Sequence, residues 1–201
     1  MVTLQYPSQQ FDTVSLKSKQ PTLVNDASNG RSVSRYAGGH LWHFGISHPP
    51  LFRSVMAPID GFLSYVGKRK KFSIVLPDRA IPQGVATGAP AIDNASGYAK
   101  DTDTINLKNV TPSTTNWFKA GDFFKADGHA KVYMCVENCN SDVSGNVTLI
   151  FEPPLAEAVA DSELLTVVNV PFQVMSVKTH STMVGNPASL YKTDVTLMEA
   201  L

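Results

Sequence analysis

Residues 116–155, NWFKAGDFFKADGHAKVYMCVENCNSDVSGNVTLIFEPPL, decide the fold. Three runs inside this stretch are short and rich in apolar side chains: residues 123–125, 131–136 and 147–151. Glycine and aspartate between the runs are typical of turns, and the alternation within 131–136 is typical of a strand buried on one face. The two prolines after Glu152 cannot donate hydrogen bonds to a sheet, so they end the third run. The stretch predicts a compact β-meander, which suits recognition or assembly better than catalysis.

Strand patterns continue on both sides of this meander. The predicted strands lie at residues 13–19, 32–43, 71–76, 105–107 (within the segment 103–110), 165–178 and 190–198. The first is expected at a sheet edge, and the fifth is either a strand pair or one strand bent at Pro171. Gly38 and Gly39 interrupt the second strand, and residues 24–31 before it predict a turn-rich loop with an Asn-Gly step.

Two apolar stripes mark the expected core. The first stripe is Trp42, Phe44 and Ile46, which would share one face at the end of the second predicted strand and just after it. The second lies along the single predicted helix and comprises Ile59, Phe62, Leu63 and Val66. This helix lies within residues 51–69, because its apolar side chains recur at helical spacing. Pro58 suits the first turn, where its missing N–H is not needed. The basic residues 68–71 are expected at the helix C-terminus, where they complement the helix dipole.

The composition favours a protein that associates with partners. The chain has 201 residues, long enough for one sizeable core or for a core with an inserted module. Seventeen basic residues balance seventeen acidic ones, and only 17% of the chain is charged. A near-neutral surface favours association, and no basic patch large enough to drive nucleic-acid binding is present in the sequence.

Targeting signals and cysteine usage predict synthesis in a reducing cytoplasm. The first ten residues are polar and lack the apolar centre of a secretion signal, and no apolar run is long enough to span a membrane. Cys135 and Cys139 are the only cysteines. With His129 as the one nearby histidine, they do not complete the four ligands of a structural zinc site, so we expect free, partly buried thiols.

No catalytic, cofactor or metal site is expected. Standard nucleotide-binding, hydrolase and metalloprotease motifs are absent from the sequence. The candidate polar residues are His40, His43, His48, Asp101, Asp103 and Asp122. We assign the histidines to packing or surface hydrogen bonds, because strand spacing places His40 and His43 on opposite faces. The aspartates are expected in turns, since no glycine or downstream glutamate completes a calcium loop around Asp101.

The distribution of strong strand signals suggests two domains. Residues 1–80 and 157–201 supply the long strands and the helix, whereas residues 81–156 form a β-module of about four strands. An insertion that returns to its parent sheet would explain why long strands resume after the module, because closely spaced domain ends make insertion at a loop tolerable.

The order of several residues resembles a group of tailed-bacteriophage virion proteins, the distal tail or baseplate-ring proteins at the junction of tail tube and tip. The residues that carry the resemblance are Arg35, Trp42, Pro49-Pro50-Leu51, Ala57-Pro58, Phe62-Leu63, Ala120-Gly121-Asp122-Phe123, His129, Lys131-Val132-Tyr133, Gly145, Thr148-Leu149 and Pro153-Pro154-Leu155. The resemblance implies a mainly β fold: a tail-tube-like β-sandwich with one flanking helix and an inserted small barrel similar to an oligonucleotide/oligosaccharide-binding (OB) fold.

The same resemblance implies a structural, non-enzymatic protein of the virion tail, assembled in the host cytoplasm. It would form a homo-oligomeric ring, hexameric in this group, around the channel through which DNA passes, and contact the tail tube protein and the tail hub or tip proteins. No membrane contact, cofactor or sequence-specific nucleic-acid binding is implied. Two alternatives stay open: a tube initiator or terminator of a contractile tail, and a carbohydrate-binding module with Trp117, Phe118 and Tyr133 as an aromatic platform.

Overall fold

The computed structural model describes residues 4–7, 11–26, 30–36, 38–179, 182–184 and 190–201. Within these residues the fold is mainly β with one α-helix, as the sequence predicts. In chain order the elements are β1 (Thr13–Lys19), β2 (Thr22–Asp26), β3 (Ser32–Tyr36), β4 (Leu41–Ser47), β5 (Leu51–Phe52), α1 (Arg53–Val66), β6 (Phe72–Ile74), a 3₁₀ turn (Pro77–Arg79), β7 (Ala91–Ile92), β8 (Thr104–Lys108), β9 (Phe123–Ala126), β10 (Tyr133–Cys135), β11 (Val147–Glu152), β12 (Leu165–Thr166), β13 (Phe172–Ser176), β14 (Thr182–Val184) and β15 (Leu190–Glu199).

The chain divides into two compact units. One unit comprises Met1–Ser73 with Val174–Ala200, and the other comprises Ile74–Gln173 with Leu201. We call them the sheet unit and the barrel unit. The barrel unit is inserted into the sheet unit, and both boundaries between the units lie within strands, at β6 and at β13.

The sheet unit is built on a seven-stranded sheet of order β1-β4-β15-β13-β6, with β5 and β14 also pairing with β15. β1 forms the predicted edge strand, and the long β15 lies at the centre. Trp42, Phe44 and Ile46 point to the buried face, at 3%, 1% and 2% exposure, so the predicted aromatic stripe is core. Alternate residues of β4 are half-buried on the other face, which is the pattern of a sheet covered on one side.

Helix α1 supplies a second layer of the same unit. Its buried residues are Met56, Ile59, Leu63 and Val66, which reproduces the predicted stripe except that Phe62 is only half-buried. The Gly67 N–H donates to the Leu63 carbonyl at 2.9 Å and ends the helix, with the basic residues 68–71 after it. The prediction that Pro58 lies in the first turn is wrong, because the helix begins at Arg53 and Pro58 is an exposed interior residue.

Two further strand predictions need correction. Residues 32–43 do not form one strand: β3 and β4 belong to different sheets, separated by Gly38 and Gly39, both with positive φ. Residues 24–31 are not simply a loop, since β2 continues to Asp26; residues 27–29 lie outside the described chain.

The barrel unit has six antiparallel strands in the order β12-β9-β10-β11-β8-β7. Its first and last strands also meet, because Leu165 N–H donates to the Pro90 carbonyl at 2.8 Å and Ile92 N–H donates to the Glu163 carbonyl at 2.9 Å. Strands β9, β10 and β11 form a meander and β8 returns beside β11, which is Greek-key connectivity. The sheet is therefore nearly closed around a buried core.

The barrel core is rich in aromatic side chains. Phe124 lies at the centre, with ring centroids 5.5 Å from Tyr133, 5.2 Å from Phe151 and 6.3 Å from Phe118. The sheet includes β12, so it extends beyond residue 156 and contains more strands than the four expected from sequence. Residues 165–178 accordingly contain two strands in different sheets, β12 and β13, and these strands do not pair with each other.

Candidate assembly surface

The most exposed structured part of the sheet unit is a two-stranded ribbon of β2 and β3, which we call the ribbon arm. The strands pair in antiparallel register from Thr22↔Tyr36 to Asp26↔Ser32. Every side chain of β2 is exposed, as is every described side chain of β3. An isolated two-stranded ribbon is marginally stable in water, so the ribbon arm needs further contacts to become rigid.

The ribbon arm arises where a longer hairpin leaves the sheet. β1 and β2 are consecutive along one side of the hairpin, as β3 and β4 are along the other. The pairing Lys19↔Leu41 closes the β1–β4 ladder, and Thr22↔Tyr36 opens the β2–β3 ladder. Pro21 lies at this junction on the first side and has no N–H to donate, while Gly38 and Gly39 adopt positive φ on the second side. The ribbon therefore separates from the sheet at a bulged junction.

Apolar side chains lie on both faces of the ribbon arm. Leu23 and Val33 share one face, and Val24 lies on the other, because the register pairs Leu23 with Arg35 and Asn25 with Val33. Leu23 is 66% exposed, Val33 is 67% exposed and Val24 is 60% exposed. Burying each against a partner would stabilise a complex by about 1–2 kcal/mol.

The seven-stranded sheet has an open edge at β1. In the part of the chain that the structure describes, β1 pairs with β4 and forms the end of the sheet. The opposite edge, β6, is covered, because Tyr6 N–H donates to the Ser73 carbonyl at 2.9 Å and Ser73 N–H donates to the Leu4 carbonyl at 2.7 Å. Lys17 and Lys19 are exposed on β1. An unpaired strand edge is a ready site for pairing with another chain.

The sheet face opposite the core is small and polar. The residues that share this face, from the register of β1, β4 and β15, are Thr13, Ser15, Lys17, Lys19, Leu41, His43, Gly45, Ser47, Asp194, Thr196 and Met198. A Cβ at Gly45 would come within 2.6 Å of Ser15 Oγ, so the close approach of these two strands favours glycine. Burial and the nearby Lys19 ammonium lower the pKa of His43, which favours the neutral imidazole on this face.

The three histidines near β4 do not converge on one site. His48 is fully buried and its Nε2 lies 2.8 Å from the Tyr6 hydroxyl. His40 is 3% exposed and its Nε2 lies 2.8 Å from Ser18 Oγ, while His43 lies on the polar face. Burial, reinforced by the Asp60 carboxylate, raises the pKa of Tyr6, so its hydroxyl keeps its proton. The Tyr6–His48 contact joins the segment of residues 4–7 to the residue that follows β4.

The polar candidates of the barrel unit are also dispersed. Cys135 and Cys139 Sγ atoms lie 3.7 Å apart, whereas His129 Nε2 lies 3.2 Å from Glu163 Oε1. Asp122 is 4% exposed and accepts hydrogen bonds from the N–H groups of Gln83, Gly84 and Lys119 at 2.7, 3.1 and 2.8 Å. Within the described chain no three His, Cys, Asp or Glu side chains gather as metal ligands.

Asp101 and Asp103 both contribute to loops of the barrel unit. Both side chains are exposed, and Asp101 adopts positive φ in a turn. Asp101 N–H donates to the Leu155 carbonyl at 2.8 Å, and the Asp103 carbonyl accepts from Phe151 N–H at 3.0 Å. The predicted solvated turn is confirmed at Asp101.

The aromatic platform of the carbohydrate-binding alternative is contradicted. Trp117, Phe118 and Tyr133 are each 0% exposed and belong to the barrel core. The Tyr133 hydroxyl accepts a hydrogen bond from Ala156 N–H at 3.0 Å, so even its polar end is engaged within the unit. None of the three rings can stack on a sugar without unfolding the barrel.

Sequence reasoning missed the ribbon arm, although a signal was present. The Asn-Gly step at residues 29–30 predicted a turn, and β-branched or apolar residues flank it on both sides. The segment before the step falls within the loop predicted at residues 24–31, because it is short and mixed with polar residues, whereas the segment after it belongs to the strand predicted at residues 32–43. Their exposure on both faces removes the alternation by which strands are usually recognised.

In the described residues, no helix is long and apolar enough to cross a membrane.

The chain is similar to a tail protein of a bacteriophage. The chain is 28% identical over 148 residues to the distal tail protein pb9 of Escherichia phage T5, a region that covers 71% of this chain and 67% of that protein. No family model matches the chain. The matched protein is a distal tail protein, the group that the sequence resembles, and the match extends over 71% of the chain.

Proposed function

On the premise that this chain is related to phage distal tail proteins and belongs to the virion tail, we propose that it forms a ring at the junction of tail tube and tip. The relationship and the tail location follow from the match to pb9. Ring formation is supported by the ribbon arm together with the open β1 edge. These two features leave backbone hydrogen-bonding groups and apolar side chains available to a neighbouring subunit.

The proposed interface is head-to-tail. A ring requires two different surfaces on each subunit, so that each interface joins unlike patches and the rotation closes. The ribbon arm supplies one patch, with Leu23, Val24 and Val33 available for burial. The sheet unit of the next copy supplies the other, and pairing along β1 would extend the sheet from subunit to subunit. We propose six subunits, the number that the resemblance implies.

The polar sheet face suits a channel wall. Its mostly uncharged side chains include Ser15, Gly45 and Thr196, and both charge signs occur on it, at Lys17, Lys19 and Asp194. Such a face offers no strong attraction to the phosphate backbone, because a basic groove would hold DNA by counterion release. DNA would therefore pass without being retained, in keeping with a conduit.

The two units receive different proposed roles. We assign ring formation to the tube-like unit, predicted at residues 1–80 and 157–201, and we treat the inserted barrel, predicted at residues 81–156, as a module with its own core. The observed limits of the two compact units, at residues 73/74 and 173/174, support an inserted module of this kind. We also propose that the inserted barrel is similar to an OB-fold. The barrel has six strands, one more than the five of an OB-fold.

The proposed partners are other tail components, namely the tail tube protein and the hub or tip proteins. The matched relative is named a distal tail protein, and this name favours a structural, non-enzymatic role. A tube initiator or terminator would use the same kind of ring and is the alternative that the observations leave in place. The carbohydrate-binding alternative is not supported, because the three side chains of its aromatic platform are buried in the barrel core.

The test is particle mass by light scattering over a range of concentrations, with negative-stain images of the same fractions. The wild-type chain should form closed rings of about six subunits. The double variant Leu23→Ser/Val33→Ser should stay monomeric, because it removes the apolar side chains from one face of the ribbon arm.

The matched control is Val143→Ser, which removes a side chain that is 83% exposed in a loop of the barrel unit and should leave ring formation unchanged. A wild-type monomer at every concentration, or rings that persist in the double variant, would contradict the proposal.

A further inference from the structure

Cys135 and Cys139 form an isolated pair of thiols in the barrel unit. They are 0% and 6% exposed, and their Sγ atoms lie 3.7 Å apart. Both S–H groups lie within hydrogen-bonding distance of one acceptor, the Glu137 carbonyl, at 2.9 Å from Cys135 Sγ and 3.3 Å from Cys139 Sγ. The tail-assembly proposal makes no use of this pair.

Backbone hydrogen bonds hold the segment that carries the two cysteines. Cys135 N–H donates to the Asp122 carbonyl at 2.8 Å, and Gly121 N–H donates to the Cys135 carbonyl at 2.8 Å. Cys139 pairs with Phe118 through two backbone hydrogen bonds of 2.8 and 3.4 Å. Both cysteine backbones are therefore fixed, while Val136, Glu137 and Asn138 between them are exposed.

We propose that Cys135 and Cys139 are an oxidation site, which closes to an intramolecular disulfide when the protein meets a low-molecular-weight disulfide oxidant. The Sγ atoms must approach from 3.7 Å to about 2.05 Å, the length of a disulfide bond. Side-chain rotation and a small adjustment of the exposed loop supply this movement. The inference concerns the barrel unit alone and does not depend on ring formation.

The two thiols are unequal, which sets the order of the steps. The hydrogen bond from Cys135 lowers the pKa of Cys139, and the same contact together with burial raises the pKa of Cys135. Cys139 is therefore the first nucleophile. Its thiolate attacks one sulfur of the small disulfide, forms a mixed disulfide and releases one small thiolate.

The second step closes the protein disulfide. Cys135 gives up its proton and attacks Cys139 Sγ, so the Cys135–Cys139 bond forms as the mixed disulfide breaks and releases the second small thiolate. Two protein thiols are oxidised by two electrons, and the small disulfide is reduced to two thiols that take up the two protons. The 3.7 Å separation places the resolving sulfur beside the mixed disulfide as soon as it forms.

The experiment incubates the purified protein with oxidised glutathione, unfolds it in N-ethylmaleimide, and measures intact mass. The wild-type chain should lose two hydrogens, carry no glutathione and accept no maleimide, whereas the fully reduced chain accepts two maleimides. Oxidation should also raise the unfolding temperature by roughly 2–6 °C, because the bond restricts the unfolded chain.

Single variants separate the roles of the two sulfurs. Cys135→Ser should accumulate glutathione on Cys139, since the resolving thiol is gone. Cys139→Ser should acquire glutathione roughly tenfold more slowly, because Cys135 is 0% exposed and burial disfavours its thiolate even when the contact with Cys139 is gone. The double variant Cys135→Ser/Cys139→Ser is the control, and oxidised glutathione should not change its unfolding temperature.

Three outcomes would overturn the inference. The first is a wild-type chain that still accepts two maleimides after prolonged oxidation. The second is a wild-type product that stops at the mixed disulfide, and the third is a disulfide between two chains. The wild-type mass measurement requires no substitution, so the test stands even if a serine variant fails to fold.

Discussion

The barrel unit and the sheet unit differ in how the edges of their β-sheets end. In the barrel unit the first and last strands meet, and the ladder returns on itself around an aromatic core. Among the described residues of the sheet unit, β1 forms an open edge and the ribbon arm extends from the sheet with exposed side chains on both faces. Closure removes the edges of a sheet, whereas an open edge is a site at which another chain can pair. The contrast favours the proposed assembly through the sheet unit.

The largest expected effect comes from opening the barrel core. Phe124→Ala should lower the free energy of unfolding of the barrel unit by about 3–5 kcal/mol, because it leaves a cavity between three aromatic rings. The chain has two tryptophans, Trp42 in the sheet unit and Trp117 in the barrel unit, so Trp117 fluorescence in a Trp42→Phe background follows the barrel during urea unfolding. Phe124→Leu is the control and should cost less. Equal losses for both variants would mean that the core is not tightly packed around Phe124.

The second effect concerns the buried carboxylate that joins two loops of the barrel. Asp122→Ala should cost about 2–4 kcal/mol, because the N–H groups of Gln83, Gly84 and Lys119 lose their acceptor. Asp122→Asn keeps one acceptor oxygen and should cost clearly less. The same fluorescence measurement applies, and an alanine variant as stable as the wild type would show that water replaces the carboxylate without penalty.

A smaller effect should appear in the acid stability of the barrel. Hydrogen bonds from the Asn146 and Ser144 N–H groups, both 2.8 Å from Asp142 Oδ1, lower the pKa of Asp142 below its usual 3.8. A lowered folded-state pKa stabilises the fold above the unfolded-state pKa, and this contribution is lost as the pH falls through the folded-state value. The urea midpoint of Asp142→Asn should therefore change less between neutral pH and about pH 3 than that of the wild type. An identical pH dependence would contradict this assignment.

The smallest effect on stability should come from the ribbon arm. Leu23→Ser/Val33→Ser should change the free energy of unfolding of the isolated subunit by less than about 0.5 kcal/mol, since both side chains are exposed. Trp42 fluorescence reports on the sheet unit in this measurement. A large loss of stability would mean that the ribbon arm packs against its own subunit, and the contrast between the two units would fail.

The sequence predicted strands in both units where they alternate or are rich in β-branched residues, and it missed strands that are very short or exposed on both faces. β8, β9 and β11 lie where alternation or β-branched runs placed them, because the barrel core selects apolar side chains along each strand. β2 was missed because both of its faces are exposed, and β12 was not separated from β13 because Pro171 marks a break without showing which sheet each half joins. Sheet membership depends on long-range pairing, which local patterns do not contain.

The sequence predicted that the protein associates with partners, but not which side chains lie on the surface that would make the contact. Low charge and the resemblance to tail proteins pointed to association, and the edge strand β1 was identified from its alternation. The buried positions of Trp117 and Phe118 and the buried partners of His40 and His48 required the structure, because an aromatic or histidine side chain is compatible with either core or surface.

Amide hydrogen exchange, compared between assembled and dissociated fractions of the wild-type protein, tests the central claim most directly. Assembly through the sheet unit predicts new protection along β1 and along the ribbon arm, residues 22–26 and 32–36, with no change in β7 to β12. Protection that appears in the barrel strands, while β1 and the ribbon arm exchange as they do in the dissociated subunit, would contradict it.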